Sequence, residues 1–185
     1  MIYVIDHEDS FTYNLVHLLE GFAPTYVSNY YDINWNELEK SKIIIFSPGP
    51  GNPSHYPETQ KVYKKYKGNK KIIGICLGFQ QILYAENANI VPQKKIYHGY
   101  QSKIKVIKES TLFKPNKVFL GGRYHSLKLK EPFNSSSLKI TMRCVESNVA
   151  MAIEDIINNV YGFQFHPDSF LTVDGKFLIQ KVLQF

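Results

Sequence analysis

Lys71-Lys-Ile-Ile-Gly-Ile-Cys76-Leu-Gly-Phe-Gln-Gln-Ile82 is the stretch that decides how this chain folds. A short apolar run ends in Gly74-Ile75-Cys76-Leu77-Gly78, and a helical pattern follows. Glycines on both sides of a central residue permit a tight strand-to-helix turn that exposes the side chain between them. Here that side chain is a thiol. At a helix N-terminus it feels the positive end of the helix dipole, which favours thiolate. Cysteine also serves as a small apolar residue between strand and helix. The segment alone leaves both readings open.

Val160-Tyr-Gly-Phe-Gln-Phe-His166-Pro-Asp168-Ser-Phe170 tips the balance toward chemistry. It reads as a buried strand ending at a histidine, with an acid two residues later. A cysteine nucleophile needs a base for its proton and a group that orients the base, and His-x-Asp at a strand exit supplies both. A third segment, Ile43-Ile-Ile-Phe-Ser-Pro48-Gly-Pro-Gly51-Asn-Pro53, sends another apolar strand into a Pro/Gly loop. Such a loop holds backbone N–H groups toward a ligand with few side chains in the way, as an oxyanion hole requires. It lacks the Gly-Lys-Ser/Thr ending of a phosphate-binding loop.

Outward from these segments, the first half alternates strand and helix. Ile2–Ile5, Thr25–Ser28, Ile43–Phe46 and Ile72–Ile75 read as strands. Ser10 is the expected cap of a helix carrying Phe11, Leu15, Leu18, Leu19 and Phe22 on one face, and a second helix runs from near Pro57 to Gly68. Buried strands with intervening helices predict a parallel sheet covered on both faces. In the second half, Ile104 and Val106, then Leu138, Ile140 and Met142, then Val149, Met151 and Ile153 alternate with period two. They predict antiparallel strands with one solvated face. Asn134–Ser137 is a loop, Tyr161–Phe165 returns to the core, and Asp174–Phe185 is a closing helix with Phe177, Leu178 and Val182 inward. The expected fold class is therefore α/β: a mostly parallel central sheet flanked by helices, with added antiparallel strands. Without repeats or a linker, residues 1–185 form one expected domain.

Composition sets the outer bounds. The chain has 185 residues, 44% of them hydrophobic, enough for a sizeable core. No apolar run reaches the ~18 residues of a membrane span. The sequence opens on the Ile2–Ile5 strand without a signal-peptide pattern. Its two cysteines, Cys76 and Cys144, are read as reduced, because a disulfide would consume the thiol of the elbow. A cytoplasmic protein is expected. The net charge of +6 comes from dispersed lysines, with no basic stripe and no RNA-binding signature, so nucleic acid is not an expected partner.

Together with Asp9-Ser-Phe-Thr-Tyr-Asn14 and Arg123-Tyr-His-Ser-Leu127, these segments resemble the triad-type class I glutamine amidotransferases. Within that family they are similar to the small subunit of anthranilate synthase or of aminodeoxychorismate (para-aminobenzoate) synthase. The resemblance implies a glutaminase with catalytic Cys76, His166 and Asp168, needing no cofactor and no metal. It implies that the N–H of Leu77 and one from the Gly49-Pro50-Gly51 loop bind the oxyanion; Pro50 has no N–H, so the second donor is a glycine. It implies that Gln80 and the backbone of Ser126 and Leu127 hold glutamine's own amino and carboxylate groups. His125 is then structural, and Cys144 is a buried strand residue. No synthase domain is recognised in the chain, so a larger chorismate-binding subunit is the implied partner. Two other readings are a weak scaffold subunit of the same complex and a free-standing γ-glutamyl hydrolase.

The chain also departs from the family. Asp168 stands where glutamate is usual, and Phe79 where histidine is common. Asp6-His-Glu-Asp9 replaces Asp-Asn-Tyr-Asp, and His98-Gly-Tyr100 lacks the usual lysine.

Overall fold

The computed structural model describes residues 1–184. Strands β1 (Ile2–Asp6), β2 (Thr25–Asn29), β3 (Ile43–Phe46) and β4 (Lys71–Ile75) lie parallel, and β11 (Val160–Phe163) joins them beside β4. Antiparallel strands β10 (Ala150–Asp155), β9 (Lys139–Cys144), β6 (Tyr100–Val106) and β7 (Val118–Arg123) extend the sheet to nine strands, in the order β2-β1-β3-β4-β11-β10-β9-β6-β7. A separate pair joins β5 (Ile90–Pro92) to β8 (Leu127–Leu129).

Both faces of the sheet are covered. Along β1, Ile2 and Val4 join a cluster with Leu15 and Leu19 of α1 (Thr12–Glu20) and with Leu178, Ile179 and Val182 of α5 (Gly175–Gln184). Tyr3 and Ile5 point the other way. They join Leu38 of α2 (Trp35–Lys40), Val62 and Tyr63 of α3 (Pro57–Tyr66), and Phe79, Ile82 and Leu83 of α4 (Leu77–Ala85). This is the period-two alternation of a strand buried on both sides.

Several expectations are corrected. Ser10 does not cap α1. The helix begins at Thr12 after Phe11, and Asp9 takes the turn instead, its Oδ1 accepting the Phe11 N–H at 2.8 Å. The aspartate side chain reaches the backbone two residues on, as in an Asx turn. Strand β10 has no solvated face. It lies between β11 and β9, with Ala150 and Ile153 in one core cluster and Met151 and Ala152 in the other. Only β6 alternates as expected, with Ser102, Ile104 and Val106 buried. Phe177 is 36% exposed and lies at the rim of the core, its ring against Phe113 and Phe119. The expected end of the closing helix, Phe185, lies outside the described residues. The short helix α2 gave no periodic signal in the sequence; Asn34 caps it by accepting the Glu37 N–H.

Candidate functional site

Cys76 sits between β4 and α4 with φ +52° and ψ −101°. A non-glycine residue rarely adopts such angles, and the strain is held by what surrounds it. Its N–H donates to Phe163 of β11 at 2.8 Å. The flanking glycines are required by close approach. A Cβ on Gly78 would lie 2.1 Å from the Phe46 carbonyl oxygen, and one on Gly74 would lie 2.3 Å from the Gly78 carbonyl oxygen. Helix α4 can therefore start directly against β3 and β4. Its first N–H groups, Leu77 among them, have no intrahelical acceptor.

Cys76 opens into a cavity of about 140 Å³. Gly49, Pro50, Gly51, Leu77, Gln80, Ser126 and Leu127 line it, so every residue expected to touch substrate is gathered at one place. Tyr124 and His125 complete the wall. Gln80 is committed on one side, its Nε2 donating to Gln164 Oε1 at 3.0 Å. Gln164 is fully buried and turns its own Nε2 toward Cys76 Sγ at 3.9 Å. The carbonyls of Ser126 and Leu127 are also engaged, by the Gln93 N–H at 2.9 Å and the His125 ring at 2.7 Å. What this pair offers a ligand is its N–H groups and the Ser126 hydroxyl.

His166 lies behind the cavity, 1% exposed. The expected strand ends sooner, at Phe163, where parallel pairing with β4 also stops. The chain then crosses so that the His166 N–H donates to the Gly122 carbonyl of β7 at 2.9 Å. Thr172 holds the His166 carbonyl with its hydroxyl at 2.5 Å. The imidazole is boxed edge-on by Phe11 and Tyr124, with ring centroids 4.9 and 5.0 Å away. Asp168 follows with its side chain fully buried, Oδ2 standing 3.5 Å from His166 Nδ1.

Burial alone would push the His166 pKa down. The charge on Cys76 and the contact with Asp168 outweigh it and raise the pKa to about 10. His125 behaves in the opposite way. Its Nδ1–H donates to the Leu127 carbonyl, its Nε2 accepts from Arg123 Nε at 3.1 Å, and burial first, then the nearby positive charges, drop its pKa to about 3. It lines the cavity as a locked, neutral ring, in keeping with a structural place.

Phe11, Tyr124 and Gln164 were missed as site residues. The first two lie inside the motifs Asp9–Asn14 and Arg123–Leu127, but no local spacing says that they meet around His166. Among the described residues, no group of three or more His, Cys, Asp or Glu side chains is placed to hold a metal ion. No helix among them is long and apolar enough to cross a membrane. Cys76 and Cys144 are both free and buried.

The sequence profile of glutamine amidotransferase class-I matches residues 3–184. The chain is 37% identical over 183 residues to anthranilate synthase component 2 of Lactococcus lactis, covering 97% of this chain and 92% of the relative. It is 39% identical over 192 residues to the protein of the same name from Pyropia yezoensis, covering both chains in full. Its fold superposes on a crystal structure of a glutamine amidotransferase from Thermotoga maritima with a TM-score of 0.76, over 99% of this chain and 96% of the other, at 14% identity.

Proposed function

The chain belongs to the class-I glutamine amidotransferase family, and we propose that it is the glutaminase subunit of a chorismate-using synthase. The names of its relatives favour anthranilate formation over aminodeoxychorismate formation. The observation that supports the reading most is the strained Cys76 turned into the cavity with His166 and Asp168 stacked behind it.

The chemistry follows from that arrangement. The Cys76 sulfur adds to the side-chain carbonyl of glutamine as its thiol proton passes to His166. The new oxyanion meets the N–H of Leu77 and a glycine N–H of the Gly49–Gly51 loop. His166, now protonated, gives that proton to the departing nitrogen, and ammonia leaves behind a glutamyl thioester. Neutral His166 then takes a proton from water, which attacks the thioester. Glutamate departs, and His166 returns the proton to the Cys76 sulfur. On this reading Gln80 and the Ser126–Leu127 N–H groups hold the substrate's own charged ends. The ammonia passes to the larger, chorismate-binding partner subunit.

One test is Cys76→Ser in the complex with that partner. Glutamine-dependent product should be lost, while turnover on added ammonium salt persists because the partner performs that step. Near-normal glutamine turnover in the variant would remove Cys76 from its role. The isolated chain should release glutamate slowly and speed up on adding the partner. Full activity alone, unchanged by any chorismate-using synthase, would favour a free-standing hydrolase.

A further inference from the structure

The Gly49–Gly51 loop forms one wall of the cavity, and two side chains behind it have no part in the steps above. Tyr56 is 6% exposed, and its hydroxyl donates to the Pro50 carbonyl at 2.7 Å. Its ring stands edge-on to His7, with centroids 4.9 Å apart. His7 is itself completely buried. Its Nδ1–H faces the Ser47 carbonyl at 3.2 Å, and its Nε2 accepts from the Thr59 hydroxyl at 2.9 Å. Its backbone N–H donates to Ser47 Oγ at 2.9 Å. The loop rests directly on this ring's root, since a Cβ on Gly49 would lie 2.5 Å from His7 Cβ.

We propose that Tyr56, seated on His7, is a positioning residue for the oxyanion hole: by holding the Pro50 carbonyl it keeps the Gly51 N–H turned into the Cys76 cavity. The Pro50–Gly51 peptide is trans, the chain's one cis peptide among the described residues being Glu131–Pro132. A trans peptide sends its N–H opposite to its carbonyl. Tyr56 does not line the cavity and Gly51 does, so a carbonyl tied to the Tyr56 hydroxyl leaves the Gly51 N–H pointing away from Tyr56. Rotation about the bonds flanking this peptide is easy beside glycine. Without the hydroxyl, the same peptide can swing its carbonyl inward, where it would repel the developing oxyanion instead of binding it.

The proposal rests on the glutaminase reading, and its test separates the two. Tyr56→Phe removes the hydroxyl and keeps the ring on His7. In the complex with the chorismate-using partner, kcat for glutamate release should fall at least about tenfold with KM for glutamine unchanged, because the lost contact serves the transition state. Alkylation of Cys76 by iodoacetamide should keep its wild-type rate. That reaction displaces iodide from a saturated carbon and builds no oxyanion. A kcat within about twofold of wild type would overturn the clamp. So would a parallel fall in alkylation and turnover, which would make Tyr56 a prop for the whole site. A wild-type complex that releases no glutamate at all would overturn the glutaminase reading and the clamp with it.

Discussion

His166 Nδ1 and Asp168 Oδ2 stand 3.5 Å apart, close enough for an ion pair and too far for a good N–H···O hydrogen bond. Neither carboxylate oxygen of Asp168 has another hydrogen-bond partner, although the side chain is fully buried. A buried carboxylate without hydrogen bonds is costly unless a charge faces it. The His166 imidazolium supplies that charge.

Asp168→Asn should lower glutamine-dependent turnover on the order of a hundredfold, since it removes both the charge and the orienting acceptor. Ammonium-dependent turnover in the complex should not change. Asp168→Glu should be tolerated without a large gain. A silent Asp168→Asn would mean that Asp168 does not orient His166. A many-fold rise with Asp168→Glu would mark the natural chain as an impaired enzyme, closer to a scaffold subunit.

His166 should titrate far above an ordinary imidazole. Burial lowers its pKa, and the facing Cys76 charge together with Asp168 raises it to about 10. The folded state thus holds this proton more tightly than the unfolded chain. Its contribution to stability is full below the ordinary value of 6.5 and is lost as the pH rises toward about 10. In Cys76→Ser the largest raising influence is gone, and the midpoint should drop steeply. Histidine-selective NMR titration of both proteins measures this; equal midpoints would show that Cys76 does not raise the His166 pKa.

Acid should unfold the protein through two other histidines. Burial pushes His7 down to about 3 despite its Ser47 contact, and burial with Arg123 nearby does the same to His125. Here the unfolded chain binds the extra protons. Stability is full above about 6.5 and falls as the pH drops toward 3, at about 1.4 kcal/mol per pH unit for each histidine. Denaturant titrations from neutral to mildly acid pH should show this slope. His125→Gln should remove roughly half of it, and an unchanged slope would show that His125 is not involved.

Gly78→Ala tests the elbow itself. The added methyl would press on the Phe46 carbonyl, a backbone atom of β3 that cannot rotate away. A loss of roughly 3 kcal/mol is expected, with Cys76 losing its exposure to reagents. Wild-type stability in this variant would show that α4 does not need its close approach to β3.

Much of the molecule was legible without coordinates. The apolar runs Ile2–Ile5, Ile43–Phe46 and Ile72–Ile75 announced their strands, because a strand buried on both faces is apolar at every position. The elbow was legible because its glycines and Cys76 are adjacent in sequence. The motifs sufficed to name the family. Three things depended on the tertiary structure. Burial of β10 on both faces comes from its neighbours β11 and β9, which its own period-two pattern cannot reveal. The box of Phe11 and Tyr124 around His166 brings together three distant segments, and no local periodicity encodes that meeting. The 3.5 Å between His166 and Asp168 is set by the path of the chain through Pro167 and by the packing of β7 behind it. Side-chain pattern determines which face of an element is apolar and which residue types are at hand. Long-range pairing determines which elements become neighbours, and only then how far apart two functional atoms stand.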